Sequence, residues 1–120
     1  MRFRTALAAA SGALALIVTL PTSAAAAEGT FQYTYSGLDG RPQIAAIDNP
    51  DSWVCVTLPE VGDPDSSSPA HSPRNRTDQF AHVFTGPDCD GDSFTLRPHT
   101  GYGSERLTLR SVRFTPPLPS

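Results

Sequence analysis

The sequence predicts a small all-β domain, a β-sandwich of Greek-key type closed by one disulfide, and three observations lead there. Short runs alternate apolar with polar residues, and no stretch keeps a helical period. Twelve prolines and nine glycines punctuate those runs. Two cysteines, Cys55 and Cys89, stand alone with no Cys-x-x-Cys spacing, which points to a bond rather than a metal site.

The elements follow in order. Phe31, Tyr33 and Tyr35 share one face of a first strand, and Gly37 to Pro42 reads as a turn with Asp39-Gly40 at its centre. Ile44 to Ile47 is a second strand, ended by Asn49-Pro50-Asp51. Trp53 to Leu58 carries apolar residues on both faces, which predicts a central strand. Residues 59–78 hold four prolines and a serine run, and are expected to form one long flexible loop. Gln79 to Thr85 is a strand with Phe80, His82 and Phe84 on one face, and Ser93 to Arg97 returns with Phe94 and Leu96 inward. Leu107 and Leu109 set an odd-numbered inward face whereas Val112 and Phe114 set an even one. That phase slip predicts a bulge or corner at Arg110-Ser111. Pro116 to Ser120 is a proline-rich tail unsuited to a ladder.

The beginning of the chain has another character. Arg2 and Arg4 precede an Ala/Leu-rich run from Ala6 to Leu20, and Pro21-Thr22-Ser23 leads into four alanines. This pattern is that of a signal peptide over 1–27, cut after Ala27 with one or two residues of slack. The run is short for a membrane span, which needs about 20 apolar residues. The expected product is a single secreted domain over 28–115, outside the cytoplasm and free of the membrane. There the two cysteines are expected to pair, worth about 4 kcal/mol by loop-closure entropy.

From Glu28 to Asp92 the mature chain has eleven acids against three arginines, and from Ser93 onward one acid against four arginines. Net acidity disfavours nucleic acid as a partner. There is no lysine, a bias that resembles a high-GC, actinobacterial genome.

From Gln79 onward the chain resembles a βγ-crystallin Greek key. The residues carrying the likeness are Phe80-Ala81-His82-Val83-Phe84, Asp88-Cys89-Asp90-Gly91, Phe94-Thr95-Leu96 and Ser111-Val112-Arg113-Phe114. The resemblance implies a folded hairpin whose glycine is Gly91, pinned by a serine, Ser111. It also resembles small secreted actinobacterial proteins, some of which are peptidase inhibitors or killer-toxin-like proteins.

Residues that could carry chemistry are few. Asp88, Asp90 and Asp92 invite a calcium reading. However, counting from Asp88, Ser93 and His99 stand where an EF-hand loop needs glycine and a carboxylate. The crystallin-type calcium pattern also fails, because Thr108-Leu109-Arg110-Ser111 has no acid before the serine. His71, His82 and His99 show no ligand spacing, and no Gly-x-Ser-x-Gly elbow is present. No catalytic group and no cofactor is expected. Arg74 and Arg76 sit in the expected loop, where they could face a protease. Arg97, Arg110 and Arg113 fall on outward strand positions near Tyr102 and could form a basic stripe. Together these features imply a monomeric, non-enzymatic binding domain whose target is an extracellular protein or a cell-wall polymer. A secreted peptidase inhibitor and a toxin-like or wall-associated effector are the alternatives.

Overall fold

The structure, a computed structural model, describes residues 25–118. The n- and h-regions of the expected leader and the last two tail residues lie outside the described residues. The strands are β1 (Gly29–Ser36), β2 (Pro42–Asp48), β3 (Cys55–Thr57), β4 (Ala70–Thr77), β5 (Phe80–Phe84), β6 (Ser93–Leu96), β7 (Gly101–Tyr102), β8 (Thr108–Leu109) and β9 (Ser111–Thr115). Two 3-10 turns, Pro59–Val61 and Pro87–Cys89, are the helical pieces among the described residues.

All ladders are antiparallel, in two sheets. One runs β2-β1-β4-β7, with β8 on β4 beyond β7; the other runs β3-β9-β5-β6. The two halves of the chain repeat one plan. β4 returns to lie beside β1, and β9 returns to lie beside β5. The third element of each half, β3 or β7–β8, pairs in the other half's sheet. The hairpins correspond as well: Gly37 N–H donates to Arg41 O at 2.8 Å, and Gly86 N–H to Asp90 O at 2.9 Å.

The core lies between the sheets. Phe31 of one sheet meets Phe114 of the other edge-on, with ring centroids 5.4 Å apart. Tyr33, Leu58, Val83, Val112 and Leu109 are buried around them. Burying an aromatic or branched side chain is worth about 1.5–3 kcal/mol, and the edge-to-face geometry adds to it. The segment before β1 also joins the fold. Ala27 is fully buried, its N–H donates to Pro50 O, and Ser52 N–H donates to Ala25 O.

The expected corner at Arg110-Ser111 is a change of sheet. β8 ends at Leu109 in one sheet and β9 starts at Ser111 in the other, so the inward phase must slip between them. The disulfide joins Cys55 on β3 to Cys89 in the second 3-10 turn, with the Cα atoms 6.0 Å apart.

Other expectations change. The long loop is broken up: residues 70–77 form β4, paired on both sides, and the connection before it is shorter. Pro73 is accommodated in the strand by a register shift opposite Gln32–Thr34, with Ser72 at φ 54°. The Trp53–Leu58 strand shortens to β3 and lies at a sheet edge rather than the centre. Trp53 takes φ 69° and is 66% exposed, which ends the ladder there. The face that Phe80, His82 and Phe84 share on β5 is the outer one. Ala81 and Val83 are fully buried, whereas Phe80, His82 and Phe84 are half-buried on the outer side. Phe31 and Phe114 already fill the inter-sheet space, so β5 presents its smaller residues to it. Phe94 shares the register of Val83 but is 50% exposed.

Candidate functional site

The strand β4 builds the most chemically unusual surface. Its side chains alternate, with Pro73, Asn75 and Thr77 buried and Arg74 and Arg76 exposed. The inward polar residues are held by hydrogen bonds. Asn75 Nδ2 donates to Gln79 O at 2.8 Å and to Arg97 O at 2.9 Å, while its Oδ1 accepts from Thr77 Oγ1 at 2.7 Å. Asn75 therefore ties β4 to the turn into β5 and to the chain after β6. This fixes the two arginines on the opposite side.

Across the ladders, Arg74 stands opposite Gln32 on β1 and opposite Tyr102 on β7; Arg76 stands opposite Thr30. Tyr102 is 71% exposed. Gly101 lets this corner close: a Cβ there would lie 2.5 Å from Arg97 N and 2.6 Å from Arg97 O. The backbone of β7 can thus pack against Arg97 only as glycine. Three shallow clefts adjoin. One of 240 Å³ includes Gln32, Ile44 and Arg74. The next, 220 Å³, includes Arg74, Arg76, His99 and Tyr102. A third, 430 Å³, includes Thr95, Arg97 and Tyr102. Shared residues link them in one band across the sheet.

Charge marks this band out. Among the described residues the one ion pair joins Arg41 to Asp39 at 3.8 Å. Arg74, Arg76 and Arg97 consequently have no carboxylate partner. The larger cleft beside the β1–β2 hairpin, 510 Å³, includes Tyr35, Leu38, Asp39 and Glu60. Its acids are already engaged, because Asp39 pairs with Arg41 and Glu60 Oε1 accepts from Tyr33 Oη at 2.6 Å. Burial and that neighbouring carboxylate push the Tyr33 phenol far above its usual range, so Tyr33 stays a neutral donor.

The other sequence-derived candidates disperse. Arg110 is not part of an outward stripe. It is 8% exposed, and its guanidinium donates to Val61 O at 2.9 Å, Ser67 Oγ at 3.1 Å and Ser67 O at 2.8 Å. It holds the connection between β3 and β4 against the fold. Arg113 lies half-buried on the other sheet, its guanidinium carbon 5.8 Å from the Phe84 ring centroid. Arg97 alone of that expected trio joins the band. Arg74 and Arg76 are on a sheet face rather than a protruding loop.

Asp88, Asp90 and Asp92 fold around Gly91 without converging. Asp88 Oδ1 accepts from Thr57 Oγ1 at 3.2 Å, and the backbone N–H of Asp92 donates to Thr85 Oγ1 at 2.9 Å. Among the described residues no three His, Cys, Asp or Glu side chains gather as a metal site would need. His82 is held through both ring nitrogens, by Thr95 Oγ1 at 2.9 Å and Thr115 Oγ1 at 2.8 Å. Burial, and then the nearby Arg113 cation, lower its pKa. His71 meets Ser72 Oγ, and His99 lies on the rim of the arginine band.

Sequence reasoning missed Gln32 and His99 as neighbours of the arginines, because only the sheet register brings them together. Against family models, curated proteins and solved structures, the chain shows no match.

Proposed function

We propose that this chain is an exported, non-enzymatic binding domain of βγ-crystallin-like Greek-key build, and that it holds an extracellular wall polymer on the β1–β4–β7 face. The observation that carries this reading is the set of partnerless guanidiniums, Arg74, Arg76 and Arg97, around an exposed tyrosine, Tyr102. On a net-acidic protein, cations left without an ion pair on one face favour an external anionic partner.

The Greek-key reading draws support from strand order, since the fourth strand of each half lies beside the first. It draws further support from Ser111. Its hydroxyl accepts from Cys89 N–H at 2.8 Å and donates to Gly86 O at 2.7 Å, pinning a hairpin in which Gly91 has φ 85°. Export is supported by the formed disulfide, and no helix among the described residues is long and apolar enough to cross a membrane.

Co-sedimentation with isolated bacterial cell walls tests the reading. The domain should pellet at low salt and be released at high salt. A triple variant, Arg74→Ala, Arg76→Ala and Tyr102→Ala, should stay in the supernatant while keeping its melting temperature. Equal pelleting of both proteins, or of neither, would sink the proposal.

A further inference from the structure

The band does more than concentrate charge; its layout specifies what kind of molecule would fit. From β1 to β7 the paired residues Gln32, Arg74 and Tyr102 lie side by side on successive strands. Neighbouring strands are about 4.8 Å apart. The row therefore crosses the strands at right angles, and the three linked clefts extend it from Ile44 on β2 to Arg97 beyond β6. A ligand filling it is extended and runs over the sheet face.

This geometry argues against a peptide. Peptides commonly join a sheet at an open edge, where unpaired N–H and C=O groups serve as partners. Here β1 and β4 are interior strands whose backbone groups are taken up in ladders on both sides. Over β1 and β4 recognition must come from side chains; the open edge beyond β4 at this row is only the two-residue β7, Gly101–Tyr102. The side chains on offer are an amide at Gln32, hydroxyls at Thr34 and Thr100, and the exposed ring of Tyr102. The three clefts of this face are each lined by polar as well as apolar surface. Amides and hydroxyls match sugar hydroxyls, and a free aromatic face matches the apolar side of a sugar ring.

The arginines add the acidic requirement. Arg74 and Arg76 are two residues apart on one face of β4, so their Cα atoms are separated by about 7 Å along that strand; Arg76 therefore flanks the row beside Arg74, while Arg97 shares the cleft of Tyr102. Three separated cations suit single negative charges spaced along a chain better than one multiply charged phosphate, which favours convergent donors. A planar guanidinium pairs with a carboxylate through two parallel N–H···O bonds.

Resting on the binding-face reading above, we infer that the β1–β4–β7 face binds an extended polysaccharide bearing carboxylates, a uronate-containing glycan, laid across the strands with a sugar against Tyr102 and its acids on Arg74, Arg76 and Arg97. Isothermal titration of the disulfide-intact domain with oligogalacturonate, uncharged dextran, dextran sulfate and poly-L-glutamate tests this. Saturable binding of the oligogalacturonate is expected, with dextran inert and the other two polyanions weaker. Arg74→Ala and Tyr102→Ala should each weaken it about tenfold, the scale of one charge-assisted or stacking contact, whereas Arg106→Ala should leave it unchanged. Arg74→Lys should recover less than half of the loss if the planar fork matters. Wall sedimentation without any oligogalacturonate binding would overturn the glycan inference and leave the binding-face reading in place. Equal affinity for poly-L-glutamate would do the same, by making charge the sole criterion. Loss of both wall and glycan binding would remove the two together.

Discussion

At the scale of single residues, the fold depends on a few buried polar groups that have no apolar substitute. Asn75 is fully buried and serves carbonyls from two separate segments. Asn75→Ala would strand those acceptors away from water. A loss of about 2–4 kcal/mol is expected, since each unmet buried group costs about 1–3 kcal/mol. A shift in the urea midpoint at unchanged slope would measure it. His82 sets a pH response. Its folded pKa lies below the ordinary value of about 6.5, so the native state takes up fewer protons than the unfolded chain. Its contribution is intact above that ordinary value and is lost as pH falls from there through the lowered folded value. Melting temperatures read at intervals from neutral pH downward should therefore decline, and His82→Gln should flatten that part of the curve. An unchanged pH dependence in the variant would refute the assignment.

At the scale of elements, Ser111 shows how one hydroxyl fixes a hairpin. It is fully buried, and Ser111→Ala would leave the Cys89 N–H and the Gly86 carbonyl without it. We expect a cost of about 1–3 kcal/mol and faster amide hydrogen exchange at Cys89, with the disulfide still formed. Some elements were plain in the residue pattern and some were hidden. β1 was legible because Phe31, Tyr33 and Tyr35 repeat at the strand period. β4 was not, because its inward residues are proline, asparagine and threonine, and their burial depends on acceptors distant in sequence. Which face of β5 is covered was not legible, for a related reason. Alternation alone cannot say which side of a strand is covered when Arg113 and Phe84 shelter each other outside. The candidate site was half visible: three of its arginines stood out, but Gln32 and His99 joined them only through pairing register.

At the scale of the whole molecule, a net-acidic chain carries a local cationic face because the fold gathers arginines distant in sequence, Arg74 and Arg76 from β4 and Arg97 from beyond β6. Arg110 is withdrawn into the interior and Arg113 is on the other sheet, while among the described residues three of the four exposed arginines without a carboxylate partner gather around β4, with Arg106 apart. The halves are also mutually dependent. Each sheet is completed by a third element from the other half, β3 in one case and β7–β8 in the other. Unfolding should accordingly be a single cooperative transition, with tryptophan fluorescence from Trp53 and far-ultraviolet circular dichroism giving coincident midpoints. Separated midpoints would show that the halves are independent after all.

The extended piece around Asp51 gives the chain one more property. Ala26 bridges to Asp51, while Ser52 bridges to Phe114. The N–H groups of Ser52 and Trp53 donate in turn to Ala25 and Phe114, so the two partners flank the same short segment. Ala26 and Phe114 are thus about two strand spacings apart, close to 10 Å. Between Ala26 and Phe114 the chain nearly closes into a ring. A circular permutant that joins residue 118 to residue 25 through a short Gly-Ser linker and opens at the exposed Leu38–Asp39 tip should fold to the same disulfide-bonded domain, with its arginine face intact.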